Sequence, residues 1–363
     1  LTVGAGGGHS VETITQLERS NHRTSDFERS RPRKVVKVVM ADNVTIITVA
    51  RRAQVSRQTV SNVLNTPHLV REETRERVRR AIEELGYRAN QAARQVRTGR
   101  SQTLAVRIEP TRDGINSLVL DRFLHGLTVA AASVGYRVML YAAADDDAEV
   151  ATYADLLAAY DLDAFVLTDT HHGDIRTSWL AERGVPFVTF GRPWGAPESH
   201  PWVDVDGAAG TAAATRRLLD IGHERIGFLG WPPGNAVGDD RRAGWASTVG
   251  PEFADLSRFT ADDVAEGEAA ARDLLSIPDA PTALVCASDS LAAGAFAATR
   301  GTGVAVIGFD DTPVAGVLGL TSVAQPLTEA AARCMDLLTG VLDGGITPEP
   351  VLLQPTLVIR ESA

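Results

Sequence analysis

At 363 residues the chain is too long for one ordinary core, and length alone points to two or three domains. A hydrophobic content of 44% supports globular packing, while the lack of any run of 18 or more uncharged apolar residues argues against a membrane-spanning helix. The formal net charge of −10 is unevenly spread. Residues 1–100 carry 19 Lys and Arg against 10 Asp and Glu, and residues 44–100 carry 12 Arg against 5 Glu, so a small basic module precedes a large acidic one. That asymmetry suits a module that meets a polyanion, joined to one with a different task.

Residues 1–43 show no sustained period of 2 or 3.6, a glycine cluster and mixed charge, and they read as a disordered extension. Translation from Met40 would fit the onset of pattern just beyond it. The N-terminus lacks the basic, apolar and small-residue segments of a secretory signal, so the expected location is the cytoplasm. From Thr45 onward Ile46, Val49, Ala50 and Ala53 fall at helical spacing, and Gln54-Val55 makes a break. Ser56 then caps a second helix in VSRQTVSNVLN (55–65), which would bury Val60 and Leu64 and turn its polar residues outward. A third helix begins near Arg71 with Thr74, Val78, Ile82 and Leu85 on one stripe and Gly86 as its stop. Three short amphipathic helices with one tight break describe a helix-turn-helix unit over residues 44–89. Asn90 can cap QAARQVRTG (91–99), too sparsely apolar to be a stable lone helix, so residues 90–100 read as a linker ordered only with help.

After Ser101 strand-like and helix-like runs alternate. TLAVRI (103–108), RVMLY (137–141), AFVLT (164–168), PFVTF (186–190), RIGFLG (225–230), ALVCA (283–287) and VAVIGF (304–309) are separated by mostly helical stretches. This implies parallel sheets covered on both faces, in an α/β region at 101–363 long enough for two lobes. Binding is expected in the crevice at the carboxyl ends of the strands. Cys286 and Cys334 lack C-x-x-C spacing and read as reduced core thiols.

Several ordered motifs carry a family resemblance. VTIITVARRAQVSRQTVSNVLN, VREETRERVRRAIEELGY and NQAARQVRTG, followed by IGHERIGFLG, DDRRAGW, SDSLAAGAF, VIGFDDTP, LTSVAQP and LVIRES, are similar to the lactose-repressor (LacI/GalR) family of transcription regulators over residues 44–363. The resemblance implies a helix-turn-helix headpiece and a two-lobed core like a type I periplasmic binding protein. It also implies a homodimer or dimer of dimers that reads a pseudo-palindromic double-stranded operator, with a small sugar as effector and no cofactor. Residues 90–100, with Asn90, Ala93 and Val96, would correspond to the hinge helix that folds on DNA. This chain departs from the family pattern at Gln54, usually Gly, at Asn62, usually Arg, at Ala89, usually Pro, and at Val96, usually Leu.

The second helix of such a unit lies in the major groove. Arg57 suits guanine O6 and N7, and Gln58 suits adenine N6 and N7. Ser56, Thr59 and Ser61 offer short hydroxyls to phosphate, and Thr45, Asn62 and Asn65 complete the expected contact set. In the core, Arg241 matches the family's sugar-clamping arginine and Asp310 the carboxylate that accepts from sugar hydroxyls. Ser288 stands where a polar sugar contact is common, with Asp289 capping the next helix. Asp206 either faces the cleft or caps a helix, and Arg107 and Glu109 end the first strand as further candidates. Trp194, Trp202 and Trp231 could stack on sugar faces, which leans toward a glycoside larger than a monosaccharide. THHGD (170–174) reads as a solvated loop rather than a metal site, and DDD (145–147) as charge at a helix start.

No G-x-S-x-G, P-loop, H-E-x-x-H or dinucleotide fingerprint occurs, so the reading is a regulator and not an enzyme. Whether ligand releases the operator or tightens it stays open. A sugar-transport component would call for a signal sequence and no headpiece.

Overall fold

The structure, a computed structural model, describes residues 44–87, 99–108, 114–115, 117–195, 200–344 and 349–363. The expected N-terminal extension, the hinge residues Asn90, Ala93 and Val96, and Glu109 lie outside the described residues. The chain divides after Arg88 into two compact units.

The first unit holds α1 (Ile46–Arg52), α2 (Arg57–Asn65) and α3 (Glu72–Leu85). Each start has a local cause. Thr45 forms a reciprocal capping box with Thr48, and the Ser56 hydroxyl accepts from the Thr59 amide. The core joins Val49, Ala50, Ala53, Val60, Val63, Val78 and Ala81. Helix α2 therefore buries Val60 with Val63, whereas Leu64, the expected second anchor, is 40% exposed. Both spacings lie on one helix face, and the partners on α1 and α3 select the three-residue one.

The break between α1 and α2 is a Schellman closure: the Val55 amide donates to the Ala50 carbonyl at 3.0 Å and the Gln54 amide to that of Arg51 at 3.3 Å. Gln54 sits at the left-handed position with φ +54°, where a Cβ is unfavourable. Arg77 donates to the Ala53 carbonyl at 3.0 Å and ties α3 to this turn.

The second unit is two α/β lobes. Lobe one runs β1 (Thr103–Arg107), α4 (Ser117–Ser133), β2 (Arg137–Tyr141), α5 (Asp146–Tyr160), β3 (Ala164–Leu167), α6 (Ile175–Glu182), β4 (Phe187–Phe190) and β5 (Trp202–Val205). Lobe two runs α7 (Gly207–Asp220), β6 (Ile226–Gly230), α8 (Ala236–Val249), β7 (Ser257–Phe259), α9 (Val264–Leu275), β8 (Ala283–Cys286), α10 (Asp289–Ala298), β9 (Ala305–Asp310), α11 (Pro313–Leu318) and β10 (Thr321–Ala324). The chain then returns through α12 (Leu327–Leu342) and β11 (Val351–Leu353) to lobe one, and ends on β12 (Thr356–Val358) in lobe two. The sheet orders are β11-β5-β4-β3-β1-β2 and β12-β10-β9-β8-β6-β7. Pairing is parallel apart from β12, which runs antiparallel to β10.

The apolar runs read from sequence are β1 to β4, β6, β8 and β9, central in their sheets apart from β2 at an edge. The strands the pattern passes over, β5, β7, β10, β11 and β12, have three or four residues each, too few to show a period. Cys286 and Cys334 are free, fully buried thiols, one in each lobe, and burial pushes both away from thiolate. Among the described residues no helix is long and apolar enough to cross a membrane.

Gln54→Gly should relieve the left-handed strain and stabilise the headpiece by about 0.5–1 kcal/mol, after the entropy that glycine adds to the unfolded chain. Hydrogen exchange on the full-length protein checks this: α1 and α2 amides should gain protection while lobe amides stay unchanged.

Candidate functional site

Two surfaces carry chemistry, one in each unit. On α2 no acidic residue occurs, and nearly every polar side chain is held by a neighbour. Ser56 Oγ lies 2.8 Å from Thr59 Oγ1, Gln58 Nε2 donates to Asn62 Oδ1 at 2.9 Å, and Asn65 Nδ2 donates to the Ser61 carbonyl at 2.7 Å. Arg57, exposed at the first helical position, makes no ion pair or hydrogen bond among the described residues. Thr45 and Ser56 spend their hydroxyls on helix starts, accepting from the Thr48 and Thr59 amides.

In the second unit a cleft of about 250 Å³ opens between the lobes. From lobe two come Trp231, Asp240, Arg241, Phe309 and Asp310, and from lobe one Phe190, Trp194 and Asp204. Arg241 lies in α8, with its guanidinium 3.7 Å over the Phe309 ring and 5.3 Å from that of Trp231. One nitrogen donates to the Ala287 carbonyl at 2.5 Å and lies 3.4 Å from Asp310 Oδ1. Asp310 ends β9 with φ +105° and also accepts from Gln325 Nε2 at 2.7 Å. Burial pushes its carboxyl up to about 7 against the pull of Arg241, helped by the nearby carboxylates of Asp289 and Asp262. Among the described residues three buried donors around the cleft have no partner: Arg241 Nε, Trp194 Nε1 and Trp231 Nε1. An orphaned buried N–H costs about 1–3 kcal/mol, so a ligand with hydroxyl or ether acceptors has something to gain here.

A second polar cluster stands at the junction of the lobes. Arg192, after β4, donates to Asp204 at 2.5 Å and lies 3.5 Å from Asp240 Oδ2 on α8, bridging lobe one to lobe two. Its guanidinium is 4.7 Å from the Trp194 ring centre. Burial, opposed by Arg192, raises the Asp240 carboxyl above its usual range.

Several sequence expectations change. Ser288 does not line the cleft: its hydroxyl caps α10 by accepting from the Leu291 amide, the task expected of Asp289. Asp289 instead is fully buried and accepts from the Thr312 amide at 2.6 Å and the Ser322 hydroxyl at 2.6 Å, holding the turn after Asp310. Asp206 caps α7 by accepting from the Ala209 amide, and its neighbour Asp204 faces the cleft in its place. Asp204 lies inside β5 and faces the cleft, whereas Asp206 stands just past the strand end and is turned to the helix start. Arg107 does not line the cleft either. It pairs with buried Glu149 at 3.1 Å and reaches cleft-lining Asp169 at 3.6 Å. Glu149 also accepts from Tyr141, Tyr153 and Arg176, which explains a charged strand end inside a core. Trp194 and Trp231 line the cleft, whereas Trp202 does not.

The fold also brings together two motifs read separately. Asp146 of DDD, with His171 and Asp174 of THHGD, places donor atoms within 4.8 Å of one another. Arg176 bonds Asp174 at 2.7 Å and lies 3.6 Å from Asp146, supplying the positive charge these carboxylates require. Arg192, Asp204, Asp240 and Gln325 escape the sequence reading. Asp240 and Gln325 do fall inside the DDRRAGW and LTSVAQP motifs, which is the signal that could have found them.

Comparisons agree with this arrangement. Residues 45–90 match the family described as bacterial regulatory proteins, lacI family, and residues 215–363 match a periplasmic binding protein-like domain. The HTH-type transcriptional regulator CelR of Thermobifida fusca is 35% identical over 340 residues, covering 88% of this chain and 98% of that protein. AglR of Rhizobium meliloti (strain 1021), also an HTH-type transcriptional regulator, is 32% identical over 324 residues, covering 85% and 90%. Among solved structures, a transcriptional regulator CelR–cellobiose complex superposes with TM-score 0.63 at 30% identity, covering 88% of this chain and all of that one. The lac repressor dimer bound to operator and an anti-inducer shares the fold with TM-score 0.73 at 24% identity, covering 88% and 99%. A basic three-helix unit followed by a two-lobed core with a cleft, matched along nearly the whole length of such relatives, places this chain in the lacI family of bacterial regulatory proteins.

Proposed function

We propose that the protein represses transcription by binding a pseudo-palindromic operator through α2 as a dimer, and that a small neutral glycoside in the interlobe cleft releases it. The observation that carries the effector reading is the set of orphaned donors on Arg241, Trp194 and Trp231, grouped around the buried Asp310 carboxyl. Donors and an acceptor set between aromatic rings suit a molecule with hydroxyls at its edge and CH groups on its faces. Similarity to the CelR–cellobiose complex makes a β-linked glucose disaccharide the first ligand to test. The operator reading rests on α2, an acid-free helix whose first residue, Arg57, is exposed and makes no ion pair among the described residues. Arg57, Gln58 and the α2 amides would meet base edges and phosphate, which puts the protein in the cytoplasm with the chromosome.

Ligand and operator oppose each other by linkage: a ligand that weakens operator binding by some factor is itself bound more weakly by that factor on DNA. Calorimetry and thermal unfolding against mono- and disaccharides identify the ligand, since binding to the native state raises its apparent stability. A ligand that tightens operator binding would reverse the sign of regulation.

Arg241→Ala should lower effector affinity at least about 100-fold, roughly 3 kcal/mol, and leave operator affinity within about threefold. Calorimetry with fluorescence anisotropy tests both, and a fully responsive variant would misplace the pocket.

Effector affinity should also depend on pH. Hydroxyls that donate to Asp310 favour its charged form, so affinity should drop up to about tenfold per unit as pH falls below about 7 and level off above about 8. The free protein behaves oppositely. Its Asp310 binds a proton more readily than the unfolded chain does, so this group's contribution to stability rises as pH falls from about 7 toward 4. Calorimetric titration across pH 5.5–8.5 should show the slope, and Asp310→Asn should flatten it.

Arg57→Ala should cost about 1–3 kcal/mol per contact and relax selectivity at one symmetric operator position. Anisotropy with duplexes substituted one position at a time tests this, and unchanged selectivity would remove Arg57 from base reading.

A further inference from the structure

We propose that Asn62 is a positioning residue: it orients the Gln58 carboxamide for adenine and does not read a base itself. The proposal rests on α2 being the DNA-contacting helix. Gln58 is exposed and lies one turn before half-buried Asn62, and Gln58 Nε2 donates to Asn62 Oδ1 at 2.9 Å.

A free glutamine carboxamide can turn over, exchanging its oxygen and its nitrogen at the groove. In one orientation Oε1 accepts from adenine N6 while an N–H donates to N7, and in the other the pattern mismatches adenine. Asn62 changes this balance. With one N–H of Gln58 committed to Asn62 Oδ1, the second N–H and both Oε1 lone pairs remain for a base. Reversal would set Oε1 of Gln58 against Oδ1 of Asn62 unless both side chains turned over together. Tethering also removes rotamer freedom before DNA arrives, so less is lost on binding. An arginine at residue 62 could not play this part, because a guanidinium has no acceptor for Gln58 Nε2. The Asn at this position therefore exchanges a cation for an orienting acceptor.

The remaining polar residues of α2 do not substitute for it. Asn65 is turned toward Ser61, bonding its carbonyl at 2.7 Å and its hydroxyl at 3.3 Å, and Thr59 is turned toward Ser56. Asn62 alone is hydrogen-bonded to Gln58 among the described residues.

The test presents the full-length protein with a pool of DNA duplexes randomised across a pseudo-palindromic site, and counts enriched sequences. Gln58→Ala identifies the position Gln58 reads, as the one whose preference collapses, and wild type should hold adenine there. Asn62→Ala should flatten that same position, with adenine preference falling from about tenfold or more to about threefold or less, the scale of one bidentate contact. Affinity for the best site should fall by less than about fivefold and the thermal midpoint should not move. Asn62→Asp keeps the acceptor and cannot present a donor. It should hold or sharpen the adenine preference while lowering affinity for every sequence, because it adds a negative charge to a helix that would meet a polyanion. The proposal is overturned if Asn62→Ala leaves the Gln58 position as selective as wild type, if it flattens a different position, or if wild type prefers another base there. If wild type enriches no sequence at all, the operator-binding function itself fails and the proposal with it.

Discussion

Asp310 and Arg241 stand 3.4 Å apart in a setting too dry for either charge alone, yet too loose to close them fully on each other. Complete pairing would offset the cost of burying both, and partial pairing leaves capacity for a ligand. The loose geometry is enforced from several sides. Asp289 fastens the turn beyond Asp310 through Thr312 and Ser322, and Gln325 holds the same Asp310 oxygen that faces Arg241. Ala287, at the end of β8, takes the guanidinium's strongest bond. These residues come from β8, β9, β10 and their following turns, so the pair exists only when the parallel sheet of lobe two is assembled. The strand ends converge there because parallel strands all present their carboxyl ends to one side.

Lobe one completes the site through a different device. The chain crosses between the lobes three times, after β5, after β10 and after β11. Two crossings touch through Gln354, which donates to the Asp206 carboxylate at 3.4 Å, and the third carries Gln325. The crossings bring Arg192 and Asp204 of lobe one against Asp240 of lobe two, beside the Trp194 ring. A ligand that touches both Trp194 and Arg241 therefore bears on the lobe-to-lobe contact as well as on its own bonds. Differential contact with two lobe arrangements is what an effector needs in order to shift a population.

Much of the fold was legible because its periods are strong. The headpiece follows from caps at Thr45 and Ser56 and from apolar spacing, and most of the central strands from short apolar runs. What failed was the choice among neighbours. Leu64 and Val63 are adjacent on α2, Ser288 and Asp289 adjacent at a cap, and Asp204 lies in β5 with Asp206 just past its end, and in each case the surrounding structure selects between them. Arg107 misled for a related reason. Its charge suggested a ligand contact, but buried Glu149, forty-two residues on, is the partner, and a single sequence cannot show that pairing. Motifs singled out Arg241 and Asp310, and a place after a strand singled out Trp194, and all three line the cleft, whereas nothing local marks Asp204 and Asp240 apart from surface carboxylates.

The distribution of charge bears on how the headpiece would find DNA. Residues 101–363 carry 17 Lys and Arg against 36 Asp and Glu, so the larger unit repels a polyanion and the basic unit must supply the attraction. Several headpiece arginines are already occupied: Arg52 with Glu84, Arg75 with Glu72, Arg79 with Glu76, and Arg77 on the Ala53 carbonyl. Arg51, Arg57, Arg71 and Arg80 remain without an ion pair among the described residues. Arg77 keeps its charge unopposed as well, so five arginines among the described headpiece residues would be available to phosphates, and the attraction they supply would weaken as salt rises. Directed hydrogen bonds from α2 would add to that attraction, since most of its polar side chains, Arg57 apart, are fixed by a neighbour.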